Sequence, residues 1–193
     1  IFEGAEISAD ALDSGDGGRV IVWSDDYTNF QGSITAKGTS DGKGGFVETS
    51  SKDNLQAFGS VNAYGGIEAG HWLLDPSDVT IGASTSSGNF YSTTFDPDTT
   101  SATVSASSIK TSLETVSVTI STHLNAAASD EAGSITFADG VTLENINARA
   151  GRSLTLFASE DIIVSETISS NNGALNIRLK AMGDVSITNN ADI

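Results

Sequence analysis

Residues with chemistry to offer are few in this chain, and they are scattered. His71 and His123 are the only histidines in 193 residues, and cysteine is absent. The two histidines lack the His-x-x-x-His spacing that sets a pair of imidazoles on a metal. No Gly-x-Ser-x-Gly elbow is present to expose a serine nucleophile. The string GKGG, residues 42 to 45, has no strand–loop–Lys–helix context and reads as a turn, not a phosphate loop. Lys37 and Lys43 read as isolated positives on an acidic body.

Three acidic groupings remain. Asp10, Asp13 and Asp16 lie in DALDSGDGG beside a glycine turn. Calcium needs about six to eight oxygens, and this string fits neither the EF-hand loop nor the Gly-Gly-x-Gly-x-Asp repeat, so no metal is expected. Trp23 with Asp25, Asp26 and Tyr27 could present a ring and carboxylates to a sugar or a cation. The commoner meaning of such an Asp pair is a solvated turn between strands. In WLLDP, residues 72 to 76, Trp72 could stack on a sugar with Asp75 accepting from its hydroxyls. The favoured reading is that Trp72 and Leu74 fill or cover a core while Asp75-Pro76 forces a turn.

What positions these residues is legible in a repeat. GGRVIVWSDDYTNFQGSITAKG, residues 17 to 38, returns 27 positions later as GGFVETSSKDNLQAFGSVNAYGG. Gly17 and Gly18 fall on Gly44 and Gly45, Val20 on Val47, Gly32 on Gly59, Ile34 on Val61 and Ala36 on Ala63. Val20, Val22 and Ser24 alternate with Arg19, Ile21 and Trp23, and a period of two with β-branched residues is a strand signal. The C-terminal third repeats at a shorter interval: Ile135 to Leu154 is 19 positions, Leu154 to Leu175 is 21, and Gly151 to Gly173 is 22. Repeats of roughly 20–50 residues point to solenoids or propellers, and a propeller blade needs about 40–45. Leucine-rich repeats would need an L-x-x-L-x-L-x-x-N frame that is not visible. A parallel β-helix of about 20 residues per coil fits, with Ile135, Leu154, Leu156, Leu175, Ile177, Val185 and Ile187 lining its interior in rows.

One continuous all-β solenoid is therefore expected, with coils over 1–81 and 109–193. Between them, residues 82–108 are Ser/Thr-rich and poor in aliphatic side chains, which predicts an excursion, either a loop or a strand pair on the outside. SSIKTSLETV, residues 107 to 116, is the only helix-like stretch, with Ser107 or Ser108 as cap and Ile109, Leu113 and Val116 on one face.

Composition narrows the partners. The formal net charge is −16 and the isoelectric point about 4.1, so phosphate backbones and anionic lipid would be repelled and no nucleic acid is expected as partner. At 38% hydrophobic residues the chain is too apolar for a disordered tail. No run of 18 apolar residues occurs, and no direct membrane insertion is expected. The N-terminus IFEGAEISAD begins without Met or a signal pattern, and the chain reads as a piece from inside a longer protein.

Many β-helices cleave acidic polysaccharides, and polygalacturonase-like enzymes combine Asn-Thr-Asp, Asp-Asp, Gly-His-Gly and Arg-Ile-Lys. This chain offers Asp25-Asp26, Gly70-His71 without the second glycine, and Arg178 to Lys180 over a hundred positions beyond His71. The first motif is missing. Coils of about 20 residues would hold the last two apart, so no catalytic residue, no cofactor and no enzyme activity is expected.

The order GGRVIVWSDDYTNFQGSITAKG, GGFVETSS, HWLLDPSDVTIG, a Ser/Thr-rich excursion and SLETVSVTIST resembles the exoproteins of bacterial two-partner secretion, the filamentous-haemagglutinin and high-molecular-weight adhesin type. The resemblance covers nearly the whole chain. It implies a right-handed β-helical fibre, secreted or held at the bacterial cell surface and exported through an outer-membrane transporter partner. No Asn-Pro-Asn motif of the secretion domain appears, which places the segment downstream of that domain. No Asn-x-Ser/Thr sequon occurs either. The function expected is attachment, aggregation or biofilm matrix binding through a glycan or cell-surface receptor. The alternative is a passive stalk of a contact-dependent toxin or haem-acquisition exoprotein. A missing cysteine and coils that fold one on the next suit export as an unfolded chain.

Overall fold

The structure is a computed structural model that describes residues 1–83, 88–91, 94–97, 102–122, 133–149 and 151–188, the backbone alone for 88–91 and 94–97. His123 lies outside the described residues. Each coil lays down short strands on successive faces, and the strands of these faces pair in parallel with strands of the neighbouring level. β1 (Glu6–Ser8) precedes the first coil, β2 (Arg19–Ser24), β3 (Tyr27–Phe30) and β4 (Ser33–Thr35). The second coil is β5 (Phe46–Ser51), β6 (Asn54–Ala57) and β7 (Ser60–Asn62). The third begins with β8 (His71–Leu74) and β9 (Val79–Gly82).

The excursion follows. β10 (Gly88–Tyr91) and β11 (Thr94–Pro97) form an antiparallel pair separate from the stacked faces. β12 (Ala102–Ser105) then returns to the stack and inserts between β9 and β6. Strand thus resumes inside the stretch 82–108 that composition marks as excursion, because Ala102 and Val104 suffice to fill the interior while Thr103 faces out. Helix α1 (Ala106–Leu113) comes next, then β13 (Ser117–Ser121), β14 (Ile135–Phe137) and β15 (Leu143–Ile146). β16 (Ser153–Ala158), β17 (Ile162–Val164) and β18 (Ile168–Ser170) make another coil, and β19 (Asn176–Ala181) and β20 (Val185–Ile187) the last.

Three faces result. The first runs β2-β5-β8-β13-β16-β19 and the second β3-β6-β12-β9-β14-β17-β20. The third holds β1-β4-β7, then α1, then β15-β18. The second face carries two strands, β12 and β9, between β6 and β14. On the third face α1 occupies that level, and a helix about 10 Å across matches two strand spacings of about 4.8 Å. Ser105, the last residue of β12, caps the helix by accepting from the Ser108 N–H at 3.3 Å, ahead of both expected caps, Ser107 and Ser108. Ile109, Leu113 and Val116 are fully buried. Ser112, also fully buried, accepts from the Val61 N–H at 3.1 Å and so satisfies an edge of β7 that a strand would otherwise pair.

The interior is built from rows. Val47, Trp72, Val118 and Leu154 stack along the first face, as do Leu74, Ile120 and Leu156 beside them, all fully buried. Ile135 and Ile162 continue a second-face row from Val79. Ile135 and Leu154, which the sequence intervals equate, therefore lie on different faces. The true spacings there are 27 for Ile135 to Ile162 and 23 for Leu154 to Ile177, not 19 to 22. Leu175 and Ile177 are only half-buried, and Val185 and Ile187 are exposed, because no described coil lies beyond β19 and β20.

The glycines of the repeat hold the coils at contact distance. A Cβ on Gly45 would stand 2.0 Å from the Gly18 carbonyl oxygen, and one on Gly44 1.9 Å from that of Ala63. Neither glycine has positive φ, so space and not torsion demands it. Gly45→Ala is expected to destabilise the fold by about 2–4 kcal/mol. Urea denaturation checks this, and an unchanged midpoint contradicts the close stacking.

Candidate functional site

A groove of about 580 Å³ runs along one corner of the stack, between the third and first faces. Its floor is the corner itself: Gly17-Gly18 before β2, Gly44-Gly45 before β5, and Ala69 ahead of β8. At each step a glycine N–H closes its own coil on an alanine carbonyl, Gly18 on Ala9, Gly45 on Ala36 and Gly70 on Ala63, each at 2.8 Å. The Ala36 and Ala63 methyls are fully buried and pack directly against these glycines, which is why small residues recur there in step with them. With only the Ala69 methyl among the glycines of the floor, the backbone there is left open to an incoming ligand.

One wall is a row on the first face. Register sets Arg19, Phe46 and His71 side by side, at offsets of 27 and 25 residues. The Arg19 guanidinium lies 4.8 Å from the centre of the Phe46 ring. The Phe46 and His71 rings are nearly parallel, at 7° and 6.2 Å between centroids. Both faces of Phe46 are thus taken, and its edge faces the groove beside a guanidinium and an imidazole. The opposite wall is Asp16, Lys43 and Glu68. Asp16 accepts from the Lys43 N–H at 2.7 Å, and Lys43 Nζ pairs with Glu68 at 2.9 Å. Lys37 likewise pairs with Asp10 at 3.1 Å. Neither lysine is isolated, because coil stacking brings carboxylates 25 to 27 residues distant alongside.

The residues that sequence singles out separate into two places. Trp23 is 47% exposed at the far end of β2 from the groove, with Asp25 and Asp26 exposed in the turn that follows and Tyr27 half-buried at the start of β3. The carbonyls of Asp25 and Asp26 accept from the N–H groups of Asp53 and Asn54, so this turn is stacked like the strands. Trp72 and Asp75 are not surface residues. Trp72 is 0% exposed, donates from Nε1 to Thr49 Oγ1 at 3.0 Å and meets Phe30 edge to face at 6.1 Å. Asp75 is buried as well. Trp72 belongs to the interior because the alternation of β8 turns Trp72 and Leu74 inward and leaves His71 and Leu73 outward, and Asp75 lies in the buried segment that follows the strand.

Asp10 and Asp16 are each engaged with the next coil, and no group of three His, Asp or Glu that could hold a metal occurs among the described residues. His71 stands on β8 and Arg178 on β19, three strand spacings apart on the first face. Sequence reasoning passed over the trio of Arg19, Phe46 and His71, for which the signal was the shared offset from the glycine pairs. The chain matches no protein-family model and no curated protein.

Burial holds the His71 imidazole below its ordinary value of 6.5. The folded state then binds fewer protons than the unfolded chain, so the contribution of His71 to stability is complete above about pH 6.5 and is lost as pH falls through that value toward the lower folded one. His71→Gln is expected to flatten the pH dependence of stability in this window relative to the parent chain. Urea denaturation of both proteins from pH 7.5 to 5 on the order of half-unit steps measures it, and parallel curves contradict it.

Proposed function

We propose that this chain is an adhesive β-helical segment of a large secreted bacterial surface exoprotein, and that the corner groove holds a linear glycan along the stack. The observation that carries the reading is the groove's repetition over three successive coils. Arg19, Phe46 and His71 recur at the spacing of the strands, facing Asp16, Lys43 and Glu68. A trough with donors and acceptors on both walls and bare backbone beneath suits a chain of hydroxyl-bearing rings, whose weak contacts add up along its length. Its rings offer edges, so recognition is by hydrogen bonds more than by stacking.

The resemblance to two-partner secretion exoproteins supports the surface location and the transporter partner during export. Turnover is no part of this reading. The groups that an acidic-polysaccharide hydrolase would gather stand at Asp25-Asp26, His71 and Arg178, at different ends and levels of the first face.

Screening the chain on a glycan array, followed by affinity measurements on the best ligand, tests the proposal. Arg19→Ala and His71→Ala are each expected to weaken binding about tenfold or more, a loss of roughly 1.4 kcal/mol, and Trp23→Ala to leave it intact. Binding that follows Trp23 would move the site to the β2–β3 turn. Absence of glycan binding, or unchanged bacterial attachment when the parent exoprotein is deleted, overturns the reading.

A further inference from the structure

Among the described residues one cation is buried without a counterpart. Among the described residues Lys37 and Lys43 pair with carboxylates, and Arg19 and Lys180 lie over the rings of Phe46 and Phe157. Arg152 does neither. It occupies the place before β16 that Gly18, Gly45 and Gly70 occupy before β2, β5 and β8, on the corner where the groove runs, further along the axis. The backbone there is fixed. The Arg152 N–H donates to the Arg149 carbonyl at 3.3 Å, Gly151 turns the chain at φ +86°, and the Arg152 carbonyl accepts from the Asn176 N–H at 3.0 Å.

The side chain that this turn delivers is only 7% exposed, and its buried Nε has no hydrogen-bond partner among the described residues. Its charged neighbour is a second guanidinium, Arg149, which is exposed and lies 5.6 Å from the centre of the Tyr64 ring. Burial, then the like charge of Arg149, pulls the Arg152 guanidinium below its usual value, against a smaller opposing effect of Tyr64. A desolvated cation beside another cation is costly without a counterion. A chain with 25 acidic side chains places none in an ion pair with it among the described residues.

We propose that the corner formed by Arg149, Arg152 and Tyr64 is a binding site for an oxyanion, a carboxylate or a sulfate group. A guanidinium is a planar fork that meets two oxygens of such a group at once, and the bond is strongest where water is excluded. The exposed Arg149 captures the anion and supplies a second fork, Arg152 neutralises it from beneath, and the Tyr64 hydroxyl adds a donor. The site depends on different side chains from the glycan groove and stands or falls without it.

Titration of the whole chain with sodium sulfate at constant ionic strength, balanced with chloride, tests this by calorimetry and by thermal unfolding. Saturable binding with a rise in melting temperature is expected. Arg152→Gln and Arg149→Gln should each lower sulfate affinity tenfold or more, and Arg152→Lys should recover only part of it, because an ammonium has no fork. If Arg152→Gln fails to fold, the exposed Arg149→Gln decides. Stabilisation that never saturates is the general exclusion effect of sulfate, and that result, or sulfate affinity in the glutamine variants unchanged from the parent chain, overturns the proposal. Competition of sulfate by an oligogalacturonate would identify a polymer-borne carboxylate as the source, and its failure a free anion. Either outcome follows only once the arginine-dependent site has been established.

Discussion

Every strand outside the excursion finds its partner in the coil above or below, through parallel backbone hydrogen bonds at about 4.8 Å. Strands meet this spacing without difficulty, since their side chains point in or out and not along the axis. Corners meet it only where the backbone can approach backbone. The glycine pairs at 17–18 and 44–45 are the consequence, and each hypothetical Cβ there would fall within 3 Å of a neighbouring carbonyl oxygen. The same constraint strips the corner of side chains and so creates the groove. Structure and candidate function thus share one cause.

Turns expose N–H groups that no strand carbonyl reaches, and carboxylates of adjacent coils meet several of them. Asp10 accepts from the Lys37 N–H, Asp16 from Lys43, Asp78 from Ser134, Asp161 from Asp184 and Glu166 from Gly140. Part of the acidity is therefore structural. Asp10 shows the balance of effects: partial desolvation raises its carboxyl, but the bonds from Lys37 and Thr35 outweigh it and hold the group below the usual range. Its contribution to stability is then present above its unfolded value and is lost as pH falls through the folded one. Inside the stack, hydroxyls bond to one another and to carbonyls: Ser24 pairs with Thr28, and the Thr28 hydroxyl donates to the Ser50 carbonyl.

How far the sequence could be read follows from this physics. In the first two coils the offset of 27 is the register itself: Val20 lies on Val47 and Ile34 on Val61. Beyond β8 the glycine punctuation ends, and Val116, Arg152 and Leu175 precede β13, β16 and β19. Without it, apolar strands of different faces look alike, so Ile135 and Leu154 align in sequence although they sit on separate sheets. β12 hides in Ser/Thr-rich sequence because a strand of four needs only two inward residues. Trp72 is the most distinctive residue of its string for the reason that makes it unavailable to a ligand, since a large ring fills the coil. Arg19, Phe46 and His71 are ordinary residues one coil apart, and only the register brings them together.

Register is also what a direct measurement can reach, since the chain has no cysteine to interfere. Residues 21 and 48 are paired neighbours on the outer side of β2 and β5. Facing strands at about 4.8 Å fall within disulfide range, whereas a partner two residues further along lies beyond about 7 Å. Under mild oxidation the double variant Ile21→Cys/Glu48→Cys is predicted to form an intramolecular disulfide, and Ile21→Cys/Ser50→Cys to remain reduced. Cross-linking of the second pair in preference to the first, or of neither, contradicts the stacked coils on which the groove depends.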